Sequence, residues 1–243
     1  MTSFFAGVRE TLVPPPGGRH GPLPLFLVAL TIVTGLVDAF SYLVLGHVFV
    51  ANMTGNVVFL GFALVGAPGF SIWASAVALV SFWFGALVGG KVGARRGENR
   101  GRLLATAATI QAAFLAVAVL LAAVSGSPVS AGFRYPLILS LALAMGIQNA
   151  TARKLAVPDL TTTVLTLTIT GIAADTKTAG GAGSSNGRRF VSVTSMLVGA
   201  LVGAVFVLHV AIVFPLVLAL VLLVVTAVAA HVRGTDDAPW VRP

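Results

Sequence analysis

The sequence predicts an all-α polytopic membrane protein, with six to eight apolar segments arranged in two similar halves. Three observations predict it. Of 243 residues, 57% are hydrophobic and only 9% charged, at a mean hydropathy of +1.00; soluble domains run near 45–50% apolar and about 25% charged. The apolar residues gather in runs close to the ~20 residues that cross a bilayer as a helix. Short motifs of the first half recur in the second half, in the same order.

Eight apolar segments fall at about 24–46, 49–66, 71–93, 103–125, 135–152, 161–174, 190–210 and 211–232. The 49–66 segment is marginal and polar at its start, and 161–174 is short and rich in Thr. Pro215 stands near the start of the last segment, where a helix tolerates it. A polar, Pro/Gly-rich tail covers 1–23, with no short apolar core and cleavage site and no lipidation box, so we expect an uncleaved tail. The membrane repeats are then 24–125 and 135–232, and the polar tail 233–243 is expected to fray. Between segments, 91–102 is densely basic and 175–189 is a flexible Gly/Ser loop ending in Arg188 and Arg189.

The repeat rests on three matches. Residues 35–39 (GLVDA) resemble 146–150 (GIQNA), 61–63 (GFA) resemble 171–173 (GIA), and 85–89 (GALVG) recur as 199–203. Charge then limits the topology. Eight crossings split the Lys and Arg almost evenly between the two sides, against the positive-inside rule. If 49–66 and 161–174 enter and return, six helices cross and every Lys and Arg except Arg134 falls on one side. A seven-crossing scheme lies between. Six crossings make the halves inverted repeats with re-entrant or broken helices, a recurrent secondary-transporter architecture. Gly85/Gly89 and Gly199/Gly203 are small-xxx-small pairs that let helices approach closely.

Composition also excludes. Too few charges remain to cover a soluble globule, so a soluble enzyme, a disordered chain and a secreted disulfide scaffold fall away. There is no Cys, hence no disulfide, thiolate chemistry or Cys-based metal site. His20, His47, His209 and His231 show no metal spacing, and His47 reads as an interfacial residue. No phosphate loop, dinucleotide fingerprint or catalytic triad spacing is present, so no cofactor and no enzyme activity is expected. The net charge of +8 would suggest nucleic acid in a soluble protein. Here no basic face with interleaved aromatics exists; we expect no nucleic-acid partner, and Lys and Arg that orient the helices and meet anionic membrane lipid.

The polar residues inside apolar sequence carry the functional reading. Asp38 alone among the acidic residues sits deep in an apolar run, where a charge costs about 2.5–3.5 kcal/mol on the lenient insertion scale. It reads as a proton or cation site, with an interhelical hydrogen-bond anchor as the alternative. Asn52, Thr54 and Asn56, with Gly55 between, favour an unwound stretch able to coordinate a solute, or else a tight turn outside the membrane. Gln148, Asn149 and Thr163 form the matching cluster of the second half. Pro158 ends a helix there, and Asp159 or Thr161 is placed to cap the next. Thr166, Thr168 and Thr170 alternate as in a strand, but a helix with Thr162, Thr163, Thr166 and Thr170 on one face is more economical. Arg153 and Lys154 could neutralise Asp38 if the halves meet, but read as interfacial charges.

The motifs at 35–43 (GLVDAFSYL), 50–56 (VANMTGN), 146–154 (GIQNATARK) and 158–163 (PDLTTT) resemble the YoaK-like family of multi-pass bacterial membrane proteins. The likeness covers roughly 24–232. It implies a bacterial inner-membrane location and supplies no catalytic residues, since the family is a domain of unknown function. We therefore expect a small secondary carrier or channel-like protein for a small polar solute or ion, with a homo-oligomer compatible with so small a carrier. Its site would be Asp38, Asn52, Thr54, Asn56, Gln148, Asn149 and Thr163. The alternative is a non-transporting membrane subunit or assembly partner.

Overall fold

A computed structural model describes residues 2–15, 17–176, 186–234 and 239–242. Among them lie nine α-helices: α1 (Thr2–Leu12), α2 (Leu23–Val44), α3 (Met53–Leu64), α4 (Ile72–Arg96), α5 (Arg100–Ser125), α6 (Ala131–Leu155), α7 (Thr166–Ala174), α8 (Asn186–His209) and α9 (Phe214–Arg233). A 3-10 turn, Pro239–Val241, follows. Local chemistry sets the boundaries. α2 and α9 open on prolines, whose missing N–H costs nothing in a first turn. Asn52, Ser71 and Asn99 cap α3, α4 and α5 by accepting from the N–H groups of Gly55, Ala74 and Arg102. α6 ends at Ala156, held in the left-handed conformation (φ 50°) just before Pro158.

Six helices, α2, α4, α5, α6, α8 and α9, are long and apolar enough to cross a membrane. The chain is thus an all-α polytopic membrane protein. α3 and α7 are too short to cross. The most hydrophobic stretch of α2 is 72% buried and that of α6 56%, against 28–39% for the other four. α2 and α6 therefore form the centre. The outer helices turn Trp73, Trp83, Leu87, Leu120, Leu197 and Leu201 outward. In water so much exposed apolar surface would be a liability; in lipid it is the solvent-facing side.

Two helix crossings hold the bundle, α2 on α8 and α4 on α6. A methyl group on Gly199 would sit 2.3 Å from the Ile32 carbonyl oxygen, and one on Gly85 2.2 Å from that of Leu143. Gly203 meets Ala39, and Gly89 meets Ala150. Only hydrogen at these positions lets the backbones close to this distance. The helix ends alternate between two levels. At the basic level, Arg100 reaches His20 and the Leu155 carbonyl, and Asn99 donates to the Gly234 carbonyl. At the opposite level, Arg134 Nε donates to the Leu45 carbonyl at 2.7 Å, and His47 meets the Gly69 carbonyl at 3.0 Å.

The described parts of both tails pack on the bundle. Within 1–23, α1 forms and packs on α8 where Gly7 meets Gly187. Of the tail expected to fray, residues 235–238 and 243 lie outside the described residues. Trp240 is only 7% exposed and lies against Gly21 and Gly101. One buried indole holds a segment that polarity alone would leave in solvent. Residues 177–185 of the expected Gly/Ser loop lie outside the described residues.

Candidate functional site

The site begins where α2 ends. Gly46 and His47 take left-handed backbone angles (φ 82° and 56°) and turn the chain back. Residues 48–52 then descend beside α2 without helix, and α3 carries the chain out again. Asp38 makes the descent possible. Its Oδ1 accepts from the N–H groups of Val50 at 3.0 Å and Ala51 at 2.9 Å. A non-helical strand at this depth has no water to satisfy its amides, so a side-chain acceptor must do so. Asn56 supplies a second clasp: its Oδ1 accepts from Phe49 N–H at 3.0 Å and its Nδ2 donates to the Phe49 carbonyl at 2.6 Å. Tyr42, Phe49, Phe59 and Phe70 stack over the outer end of this hairpin.

The second half builds a hairpin of the same form from the basic end. After α6, residues 156–165 run without helix, and α7 leads back. Asn149 Nδ2 donates to Thr163 Oγ1 at 2.5 Å and ties the descending strand to α6. Asp38 and Asn149 stand equally far from the ends of their helices, about 9 Å at the helical rise. Arg189 on α8 pins the base of the hairpin. It contacts Asp159 at 2.8 Å, Asp175 at 2.6 Å and the Gly171 carbonyl at 2.7 Å.

A cavity of about 890 Å³ opens between the two hairpins. Asp38, Asn52, Thr54, Asn149 and Thr163 line it, so five of the seven expected site residues come together. Gln148 and Asn56 do not line it. Gln148 is fully buried and donates to the Leu30 carbonyl at 3.1 Å and Thr34 Oγ1 at 2.8 Å, joining α6 to α2. Asn56, also fully buried, is spent on Phe49. Both are structural uses of a polar side chain in an apolar setting. The proposed caps fail too: α7 is preceded by Leu165 without a side-chain cap, Asp159 binds Arg189, and Thr161 donates to the Val164 carbonyl. Thr162 and Thr163 precede α7, so they share no helical face with Thr166 and Thr170. Arg153 and Lys154 form no ion pair with Asp38.

Among the described residues Asp38 is the one ionisable carboxylate on the cavity wall. Among the described residues no hydrogen bond reaches its second oxygen and no cation pairs with it. α3 and α7 both start at the cavity, at Met53 and Thr166. The first turns of two helices thus bring partial positive charge to the space, although Asn52 already caps the Gly55 N–H of α3. Carboxylate, amide, hydroxyl and amide N–H together can hold a small polar solute through both donors and acceptors. Among the described residues no cluster of His, Asp and Glu could hold a metal ion.

Sequence reasoning missed Tyr42, Phe49, Phe59, Phe82 and Met196 on the wall. Tyr42 carried a signal, standing one helical turn beyond Asp38; the others look like any lipid-facing residue. Arg189 was legible only as a basic loop end.

The model of a family described as protein of unknown function (DUF1275) matches residues 26–229. The UPF0700 transmembrane protein YoaK of Bacillus subtilis (strain 168) is 34% identical over 155 residues. The match covers 61% of this chain and 65% of that protein, just under two thirds of its length. No solved structure matches. The family match takes in α4, α5, α6 and α8 whole, most of α2 and α9, both hairpins and the cavity between them, and the chain belongs to the DUF1275 family.

Proposed function

We propose that the protein is a small secondary carrier or channel-like protein for a small polar solute or ion, and not an enzyme. The observation that carries the reading is the meeting of two broken hairpins, entering from opposite ends, at a cavity holding Asp38. Non-helical backbone at membrane depth is tolerated where it lines such a space. Discontinuous helices at the interface of inverted repeats are where secondary transporters bind their solutes.

The internal repeat belongs to the same proposal. α2, α3, α4 and α5 correspond to α6, α7, α8 and α9. Each half then lends its first helix to the third of the other, so the glycine crossings α2–α8 and α4–α6 are one contact made twice. The halves run in opposite directions, with the basic end on the cytoplasmic side of a bacterial inner membrane. Single Cys residues at Ser3, Ala67 and Ser185 test the topology, because the chain has no other Cys. Labelling at positions 3 and 185 from one side and at position 67 from the other supports the inverted halves; any other pattern overturns them.

Flux tests the function. Proteoliposomes would be challenged with radiolabelled monovalent cations, amino acids and polyols, and an internal pH-reporting dye would follow any coupled protons. Asp38→Asn keeps an Oδ1 acceptor for Val50 and Ala51 while removing the charge. Flux in the native protein that Asp38→Asn abolishes supports the reading. No flux from folded protein overturns it in favour of a non-transporting membrane partner, and unchanged flux in Asp38→Asn removes Asp38 from the mechanism.

A further inference from the structure

A second cavity, of about 360 Å³, lies at the basic end of the bundle. Arg19, His20, Arg100, Lys154 and Arg242 line it. Arg100 forms its floor and is only 8% exposed. Its Nη2 donates to the Leu155 carbonyl at 2.5 Å and lies 3.3 Å from His20 Nδ1. That carbonyl is available because α6 stops at the left-handed Ala156. Lys154 reaches the cavity across Gly97, where a methyl group would come within 2.8 Å of its Cε. Burial, then Arg100, Arg188 and Arg19, hold His20 below its ordinary pKa of 6.5, so at neutral pH the ring is uncharged and accepts from Arg100.

Among the described residues no carboxylate lines the cavity, and Arg19, Arg100 and Lys154 form no ion pair. Glu98, next to Gly97 in the chain, pairs with none of them. A buried guanidinium with only neutral partners is costly unless an anion completes it. Three or more cationic groups converging on one small space suit an anion with several acceptor oxygens. The volume is at the lower end of ligand pockets, and basic pockets between crossing helices are where anionic headgroups dock.

We propose that this cavity binds a phosphate group, with Arg100 at the base and Lys154 and Arg19 closing on it from the rim. The group belongs to an anionic lipid headgroup or to free phosphate, which share this chemistry. The inference does not depend on the carrier reading of the Asp38 cavity.

The test uses the full chain in nonionic detergent. Binding is titrated calorimetrically with inorganic phosphate, with mixed micelles containing phosphatidylglycerol, and with phosphatidylcholine micelles as the neutral reference. Arg19 and Lys154 are exposed, so the double variant R19Q/K154Q keeps the fold. It is expected to weaken binding about tenfold or more, the scale of losing charge-assisted hydrogen bonds. K91Q/R95Q removes the same charge from the exposed side of α4, outside the cavity, and is expected to change affinity less than twofold. Arg100→Lys keeps the charge but loses the fork, and should weaken binding as well. Saturable binding of inorganic phosphate with this pattern assigns the site to free phosphate; binding only to phosphatidylglycerol micelles assigns it to the headgroup. Binding of neither, or equal loss in K91Q/R95Q, overturns the proposal.

Discussion

Replacing Asp38 by Ala separates its structural role from its charge. Oδ1 satisfies two backbone N–H groups, those of Val50 and Ala51, at 3.0 and 2.9 Å. Leaving a buried donor unpaired costs about 1–3 kcal/mol, so two cost about 2–6 kcal/mol. The chain relieves this locally: residues 48–52 lift away from α2 and let water reach the amides. The cost therefore appears first as opening of the hairpin. At the lower bound, about 2 kcal/mol multiplies the open population about thirtyfold. Val50 is fully buried, and a Cys placed there reports opening without interference from any native thiol. In V50C, Asp38→Ala should raise the maleimide labelling rate about thirtyfold or more, whereas Asp38→Asn, which retains an acceptor oxygen, should raise it only a few-fold. Equal labelling in the two variants would refute the argument that Oδ1 holds the hairpin.

Three further outcomes are expected. Gly85→Ala and Gly199→Ala should each lower thermal stability by about 1–3 kcal/mol or more, since the methyl would press on a carbonyl across the crossing. Gly90→Ala meets nothing within 4 Å and should be neutral or raise Tm through helix propensity; a loss there as large as at Gly85 counts against the packing account. Gln111 is fully buried with both amide atoms unpartnered among the described residues, so Gln111→Met should raise Tm; a lower Tm would mean that the amide has a partner. The depressed pKa of His20 means that the folded protein resists its protonation while the unfolded chain does not. Stability is then full above about pH 6.5 and falls as pH drops below it. His20→Gln should flatten that part of the pH–Tm profile, and an unchanged slope would assign the loss to another group.

Fold class was the most legible property, because it follows from bulk hydrophobicity and segment length. All eight apolar segments became helices, and the two expected to enter and return, 49–66 and 161–174, hold α3 and α7, two of the three short ones. Their shortness and their Asn, Gly and Thr content were the signals, since such residues weaken a continuous lipid-facing helix. The tails were less legible. A polar tail reads as loose by composition, but the order at Trp240 depends on bare glycines at 21 and 101, distant in sequence, which no local pattern reveals.

The site residues divide along a physical line. A polar side chain in an apolar run has two uses: it faces a solute, or it satisfies backbone that lacks water. Sequence marks both in the same way. Asn52, Thr54, Asn149 and Thr163 reach the cavity, whereas Asn56 and Gln148, beside them in the chain, are consumed by the Phe49 backbone and by Leu30 and Thr34. What decides is how many unpaired amides and carbonyls lie within reach, a property of the fold rather than of the residue. Asp38 does both, with Oδ1 on the hairpin and its other oxygen without a hydrogen bond among the described residues. A solute drawn to that carboxylate therefore acts on the group that holds the hairpin closed. Any ligand that competes for Oδ1 loosens residues 48–52, and any that leaves Oδ1 in place does not. Labelling of V50C in the presence of each candidate solute distinguishes these cases, and it links occupancy of the cavity to motion of its wall.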